Sequence, residues 1–156
     1  NKLLDSEIDD RSQREALLSK LLQMGMRGDL GAIKEVPGVR KFVSVDGGMG
    51  DNIRPALYQA EYEVVAATKV NQDPVEKVTI AGKYCESGDL LASDIMLPEL
   101  ESGDLLAIPA AGAYCPSMAS NYNMKPRPPM VVVKDGKSRL IRRRESYQDL
   151  MHCDVV

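Results

Sequence analysis

From Gly31 onward the sequence breaks into short apolar runs, each closed by Gly, Pro, Asp or Asn, and this punctuation restricts the chain to short strands joined by turns. Residues 40–46 (RKFVSVD), 62–70 (YEVVAATKV), 77–81 (KVTIA) and 104–109 (DLLAIP) are rich in β-branched or apolar side chains, as strands are. Residues 130–133 and 139–142 flank Asp135-Gly136-Lys137, and Asp-Gly supplies the positive φ that a tight hairpin demands. Tyr147, Leu150 and Met151 are spaced for a short helix over residues 145–151. The first 30 residues differ in character. Ser6, Glu7, Asp9 and Asp10 suit a helix start, and Leu17, Leu18, Leu21, Leu22 and Met26 form an apolar stripe until Gly25 and Gly28 loosen it. The expectation is a mainly β domain over residues 31–156, preceded by an amphipathic helix over residues 1–30 and closed by a short C-terminal helix. The apolar stripe of the first helix must bury against that domain or another chain.

The string ESGDLLA occurs at Glu86–Ala92 and again at Glu101–Ala107. Ser-Gly-Asp is turn chemistry and the leucines that follow begin a buried strand, so each copy reads as a turn leading into a strand. Only the first copy is preceded by a cysteine, Cys85, which stands beside Glu86 as a thiol next to a carboxylate.

At 156 residues the chain has the length of one domain, and with 44% hydrophobic and 28% charged residues it has the composition of a soluble globular protein. A net charge of -3 gives no electrostatic reason to expect nucleic acid or an anionic membrane as partner, and Arg142, Arg143 and Arg144 read as a solvated strand end. No apolar run approaches the roughly 20 residues of a membrane helix and no secretion signal is visible, so the expected location is cytoplasmic. Cys85, Cys115 and Cys153 are odd in number and widely spaced, which fits reduced thiols and excludes CxxC zinc spacing. His152 stands alone, leaving little material for a histidine-based metal site or a Ser/His triad.

Three strings, VDGGMGDNIRPALY at 45–58, GKYCESGDLL at 82–91 and GAYCPSMASNYN at 112–123, occur in that order. Together they resemble the C-terminal half of the diaminopimelate decarboxylases, pyridoxal-phosphate enzymes of the alanine-racemase-like fold that make lysine from meso-diaminopimelate. The resemblance runs from about Gly31 to the last residues and implies a C-terminal β-barrel domain. It further implies that Cys85 protonates the carbanion left when carbon dioxide departs, a task suited to a thiol whose neighbours can tune it. Glu86 would bind the distal ammonium of the substrate, and Arg54 and Tyr58 its distal carboxylate, for which a guanidinium fork is well matched. Tyr114 would lie at cofactor and substrate. Cys115 is left as packing, and Asp46, Gly47 and Gly48 as a constrained turn.

In this family the lysine that binds pyridoxal phosphate sits on a TIM barrel, which needs roughly 200 residues or more, so no such barrel fits in this chain. Two strings imitate cofactor motifs. AATKVN around Lys69 lies downstream of RPALY, and EVPGVR at 35–40 belongs to the turn before VDGGM. The chain therefore reads as a fragment, a separately encoded half or a remnant. It is expected to be inactive alone and to act on its small-molecule substrate as a homodimer or with a barrel supplied in trans. Two alternatives stay open: the same domain of an ornithine- or arginine-type decarboxylase, and a non-catalytic interaction module built on the first helix.

Overall fold

The computed structural model describes residues 33–36 and 40–155; the amphipathic helix expected over residues 1–30 lies outside them. Strand β4 (Glu76–Ala81) is the centre of the structure. Val78, Thr79, Ile80 and Ala81 are all buried, so this strand is covered on both faces. On one side it pairs in parallel with β2 (Arg40–Ser44), with Val43 opposite Ile80. On the other it pairs antiparallel with β5 (Leu90–Leu97). Strand β1 (Ile33–Val36) adds to the free edge of β2, giving the order β1-β2-β4-β5. Strand alternation splits β2, sending Val43 into the larger core with Val78, Ile80, Leu91 and Leu97, and Phe42 to the opposite face with Ala81.

Parallel strands cannot be joined by a tight turn, and the long link between β2 and β4 carries helix α1 (Arg54–Tyr58) and strand β3 (Val65–Ala66). The strand expected over residues 62–70 is cut to those two positions. A 3-10 turn at Ala67–Lys69 takes over, because Thr68 Oγ1 and Lys69 Nζ both reach the Asp104 carboxylate, at 2.7 and 2.9 Å. Strand β6 (Leu106–Ala107) pairs antiparallel with β3 over the same short length and stops ahead of Pro109. Both copies of ESGDLLA thus lead into a strand, β5 and β6 respectively.

The hairpin of β7 (Met130–Lys134) and β8 (Lys137–Arg142) turns on Asp135 and Gly136, with φ of 50° and 70°, as the Asp-Gly pair predicts. Val131, Val133, Leu140 and Ile141 are exposed on it. Helix α2 (Cys115–Met118) was not evident in the sequence, whereas α3 (Tyr147–Leu150) falls where expected and is started by a capping box between Ser146 and Asp149. The expected β-barrel is corrected: among the described residues the strands form three separate sheets and no closed barrel. The closure fails at β3 and β6, whose pairing is too short to carry the sheet around.

Asp89 ties β5 to the loop after β2. Its buried carboxylate accepts the backbone N–H of Met49 at 2.6 Å and of Tyr84 at 2.7 Å. Gly82 and Gly48 lie so close to that carboxylate, and Gly50 so close to the Tyr84 ring, that a Cβ at any of them would collide. Gly82→Ala is therefore expected to destabilise the fold by about 1–3 kcal/mol, seen as a lowered urea midpoint at unchanged slope. An unchanged midpoint would contradict this packing.

Candidate functional site

The loop that follows β2 is folded by its own backbone. Asp51 and Asn52 both donate to the Gly48 carbonyl, at 2.9 and 3.0 Å, and the Asn52 Oδ1 accepts the Arg54 N–H at 3.2 Å. Pro55 sits in the first turn of α1, where its missing N–H costs nothing. Arg54 is thereby presented at the head of a short helix whose side chains are not buried. Its guanidinium carbon lies 4.8 Å from the Tyr114 ring centroid and 5.5 Å from that of Tyr58, both within cation–π range. The two rings are 62% and 59% exposed, so the cluster opens to solvent. Among the described residues, no ion pair involves Arg54. A guanidinium held by aromatic faces and lacking a carboxylate partner is equipped to bind one from outside.

A second cluster forms on the first ESGDLLA turn. Glu86 Oε1 accepts the Gly88 N–H and the Ser87 hydroxyl, both at 3.3 Å, while its Oε2 accepts the Tyr122 hydroxyl at 3.4 Å. The Gly88 N–H, followed by these hydroxyls, holds the Glu86 carboxyl below the usual carboxylate range, so it stays ionised on the surface. Cys85 is an exposed free thiol, and its backbone N–H donates to Asn123 Oδ1 at 3.1 Å. Beneath them Tyr84 is buried, its ring 5.9 Å from that of Tyr122. Burial, then the Asp51 and Asp89 charges, pushes the Tyr84 hydroxyl up to about 12, which keeps it neutral.

The structure thus places the expected residues in two groups, Arg54 with Tyr58 and Tyr114, and Cys85 with Glu86. The segment 112–123 spans both. Tyr114 at one end stacks on Arg54, Ser120 donates to the Gly50 carbonyl at 2.9 Å, and Tyr122 and Asn123 at the other end hold Glu86 and Cys85. Sequence reasoning missed Tyr122 and Asn123, although both lie in the GAYCPSMASNYN string. It also missed Tyr62, whose hydroxyl is 3.7 Å from the buried Cys115 Sγ.

Neither of two cavities among the described residues, about 470 and 540 Å³, is lined by Arg54, Cys85, Glu86 or Tyr114, which stand instead on an open face. Among the described residues no set of three His, Cys, Asp or Glu side chains could hold a metal ion, and no helix is long and apolar enough to cross a membrane. Of the residues expected at the site, the exposed Tyr114 ring is the one that could face a pyridoxal cofactor. Lys69, in the string that imitates the cofactor lysine, is 2.9 Å from Asp104 and donates to the Glu99 carbonyl at 2.8 Å, which raises its pKa and keeps it charged rather than nucleophilic. The described residues of EVPGVR, namely Glu35, Val36 and Arg40, belong to β1 and β2.

Residues 16–112 match the family model described as the C-terminal sheet domain of pyridoxal-dependent decarboxylases. The diaminopimelate decarboxylase of Bacillus subtilis (strain 168) is 56% identical over 126 residues, which is 81% of this chain and 29% of that protein. The diaminopimelate decarboxylase of Halalkalibacterium halodurans is 55% identical, again over 81% of this chain and 29% of the relative. The crystal structure of the diaminopimelate decarboxylase of M. jannaschii in co-complex with L-lysine superposes with a TM-score of 0.75 at 46% identity, covering 81% of this chain and 29% of that one. The chain spans less than a third of the length of these relatives.

The segment carrying Tyr122 and Asn123 is itself clamped. Glu145 accepts from Asn121 Nδ2 at 2.7 Å and from the Arg127 backbone N–H and Nε at 2.8 and 2.7 Å. The Arg127 guanidinium, more than the other donors, lowers the Glu145 carboxyl to about 2. A depressed carboxylate stabilises the fold fully above its unfolded value near 4.5, and that contribution is lost as pH falls from there toward about 2. The protection of the amides at residues 121–127, taken relative to their intrinsic exchange rates at each pH, should therefore fall over that window in the native chain. Glu145→Gln should remove this acid dependence, and an identical profile in both would contradict the clamp.

Proposed function

Because the chain belongs to the pyridoxal-dependent decarboxylases and carries their C-terminal sheet domain, we propose that it supplies the substrate-selecting and proton-donating half of a diaminopimelate decarboxylase. The observation that carries this reading is Arg54, stacked between exposed tyrosines with no carboxylate partner among the described residues. Arg54 and the Tyr58 hydroxyl take the distal carboxylate of meso-diaminopimelate. Glu86, kept ionised by the Gly88 N–H, takes the distal ammonium. A basic amino acid without the distal carboxylate would leave Arg54 unpaired, which argues against an ornithine- or arginine-type substrate.

Pyridoxal phosphate, when bound, supplies the electron sink that allows the bond from carbon to the departing carboxylate to break. Cys85 then donates its thiol proton to that carbon, and the thiolate left behind regains a proton once the product leaves and the site opens to solvent. Tyr114 would help hold the cofactor, and its stack on Arg54 would link that role to the carboxylate site. These groups stand on an open face, so a second surface must cover them to exclude water. A cofactor-bearing barrel, in a homodimer or in trans, is that surface in this reading, and the 156 residues alone do not decarboxylate.

The test joins this chain to the cofactor-bearing barrel of the Bacillus subtilis relative and follows lysine formation. Cys85→Ala is expected to lower kcat by about 10²-fold or more, the usual worth of a positioned proton donor. Arg54→Ala is expected to raise KM for meso-diaminopimelate by at least about 10-fold, as loss of a charge-assisted pair would. If both variants kept the parent's kcat and KM, the reading would be wrong.

A further inference from the structure

We propose that Tyr62, through Cys115, is a positioning residue that sets Arg54 against Tyr114 and so determines how strongly the site selects for a distal carboxylate. This rests on the reading of Arg54 as the carboxylate anchor. Nothing in that reading uses Tyr62 or Cys115.

The geometry starts from the helix ends. Tyr62 lies four residues beyond Tyr58, after Gln59 ends α1 in a left-handed conformation with φ of 56° and turns the chain back. The half-buried Tyr62 hydroxyl then meets Cys115 Sγ at 3.7 Å. Cys115 is 5% exposed and opens α2 directly after Tyr114, whose ring lies 4.8 Å from the Arg54 guanidinium carbon. Burial, then the Cys115 contact, pushes the Tyr62 hydroxyl up, with the Arg54 charge working in the opposite direction. The phenol thus braces the residue next to Tyr114, whose ring faces the Arg54 cation.

An arginine has many rotamers, and fixing its plane is what turns a mobile charge into a fork matched to a carboxylate. Tyr58 and Tyr114 offer ring faces to Arg54, which favour a cation nearby but set its in-plane rotation poorly. A Tyr114 ring braced through the Tyr62–Cys115 contact narrows that freedom. Removing that contact should weaken carboxylate binding specifically, while leaving ammonium binding at Glu86 untouched.

The experiment uses the chain joined to the Bacillus subtilis barrel and measures inhibition by L-lysine, which carries the carboxylate, and by cadaverine, which does not. Tyr62→Phe is expected to raise the lysine inhibition constant about 3-fold or more, as loss of one neutral hydrogen bond that holds the Tyr114 segment would, with that for cadaverine unchanged. Cys115→Ala, which removes the same contact from the other side, should shift lysine in the same direction and serves as the probe if Tyr62→Phe does not fold. Equal shifts for both inhibitors, or no shift for either, would overturn the proposal. Arg54→Lys is run beside them. If it also leaves the lysine constant unmoved, the anchor itself is refuted; if it moves the constant and Tyr62→Phe and Cys115→Ala do not, only the role of Tyr62 falls.

Discussion

The Asp89 carboxylate is the constraint on which the rest of the site depends. It is withdrawn from water, and burial raises its pKa even though two backbone N–H groups work in the opposite direction. Those donors, Met49 and Tyr84, belong to two different strings, one leading to Arg54 and the other to Cys85. A single buried acceptor therefore registers the carboxylate-binding helix against the proton-donating turn. Neither donor could turn to water if Asp89 were lost, because glycines at 48, 50 and 82 have let backbone and ring close in around it. The glycines in these strings are thus packing requirements, not flexibility.

The two copies of one string show how little a local sequence fixes its electrostatics. Asp89 and Asp104 occupy the same position in ESGDLLA. Asp89 faces backbone and has its pKa raised by burial, whereas Asp104 receives the Glu101 N–H, Lys69 and Thr68 and is held at about 2. The first copy packs its carboxylate inward and leaves Cys85 and Glu86 free to work outside. The second spends its carboxylate on Lys69, which keeps a lysine in a tempting context from being a nucleophile.

Much of this was legible in the sequence for reasons that are local. The β7–β8 turn follows from Asp135-Gly136, β4 from its β-branched and apolar residues, and α3 from the spacing of Tyr147, Leu150 and Met151. What was not legible depends on partners distant in sequence. The strand expected over residues 62–70 yields to a 3-10 turn because Asp104 claims Thr68 and Lys69. The barrel stays open because β3 and β6 are then too short to bridge it. In the site, Arg54, Tyr58, Cys85, Glu86 and Tyr114 were found through motif resemblance. Tyr62, Tyr122 and Asn123 declare themselves only when the segment 112–123 is seen to cross from one cluster to the other.

The β7–β8 hairpin carries a different consequence. Two strands with Val131, Val133, Leu140 and Ile141 exposed offer open backbone edges and apolar side chains together, a combination that favours sticking to another strand. Lys134, Lys137, Arg139 and Arg142 are interleaved along the same two strands and exposed with them. A second copy brought edge to edge would set like charges against one another. The interleaved basic residues thus act as gatekeepers, making self-association of this hairpin unfavourable while leaving its valines available to a surface of opposite charge.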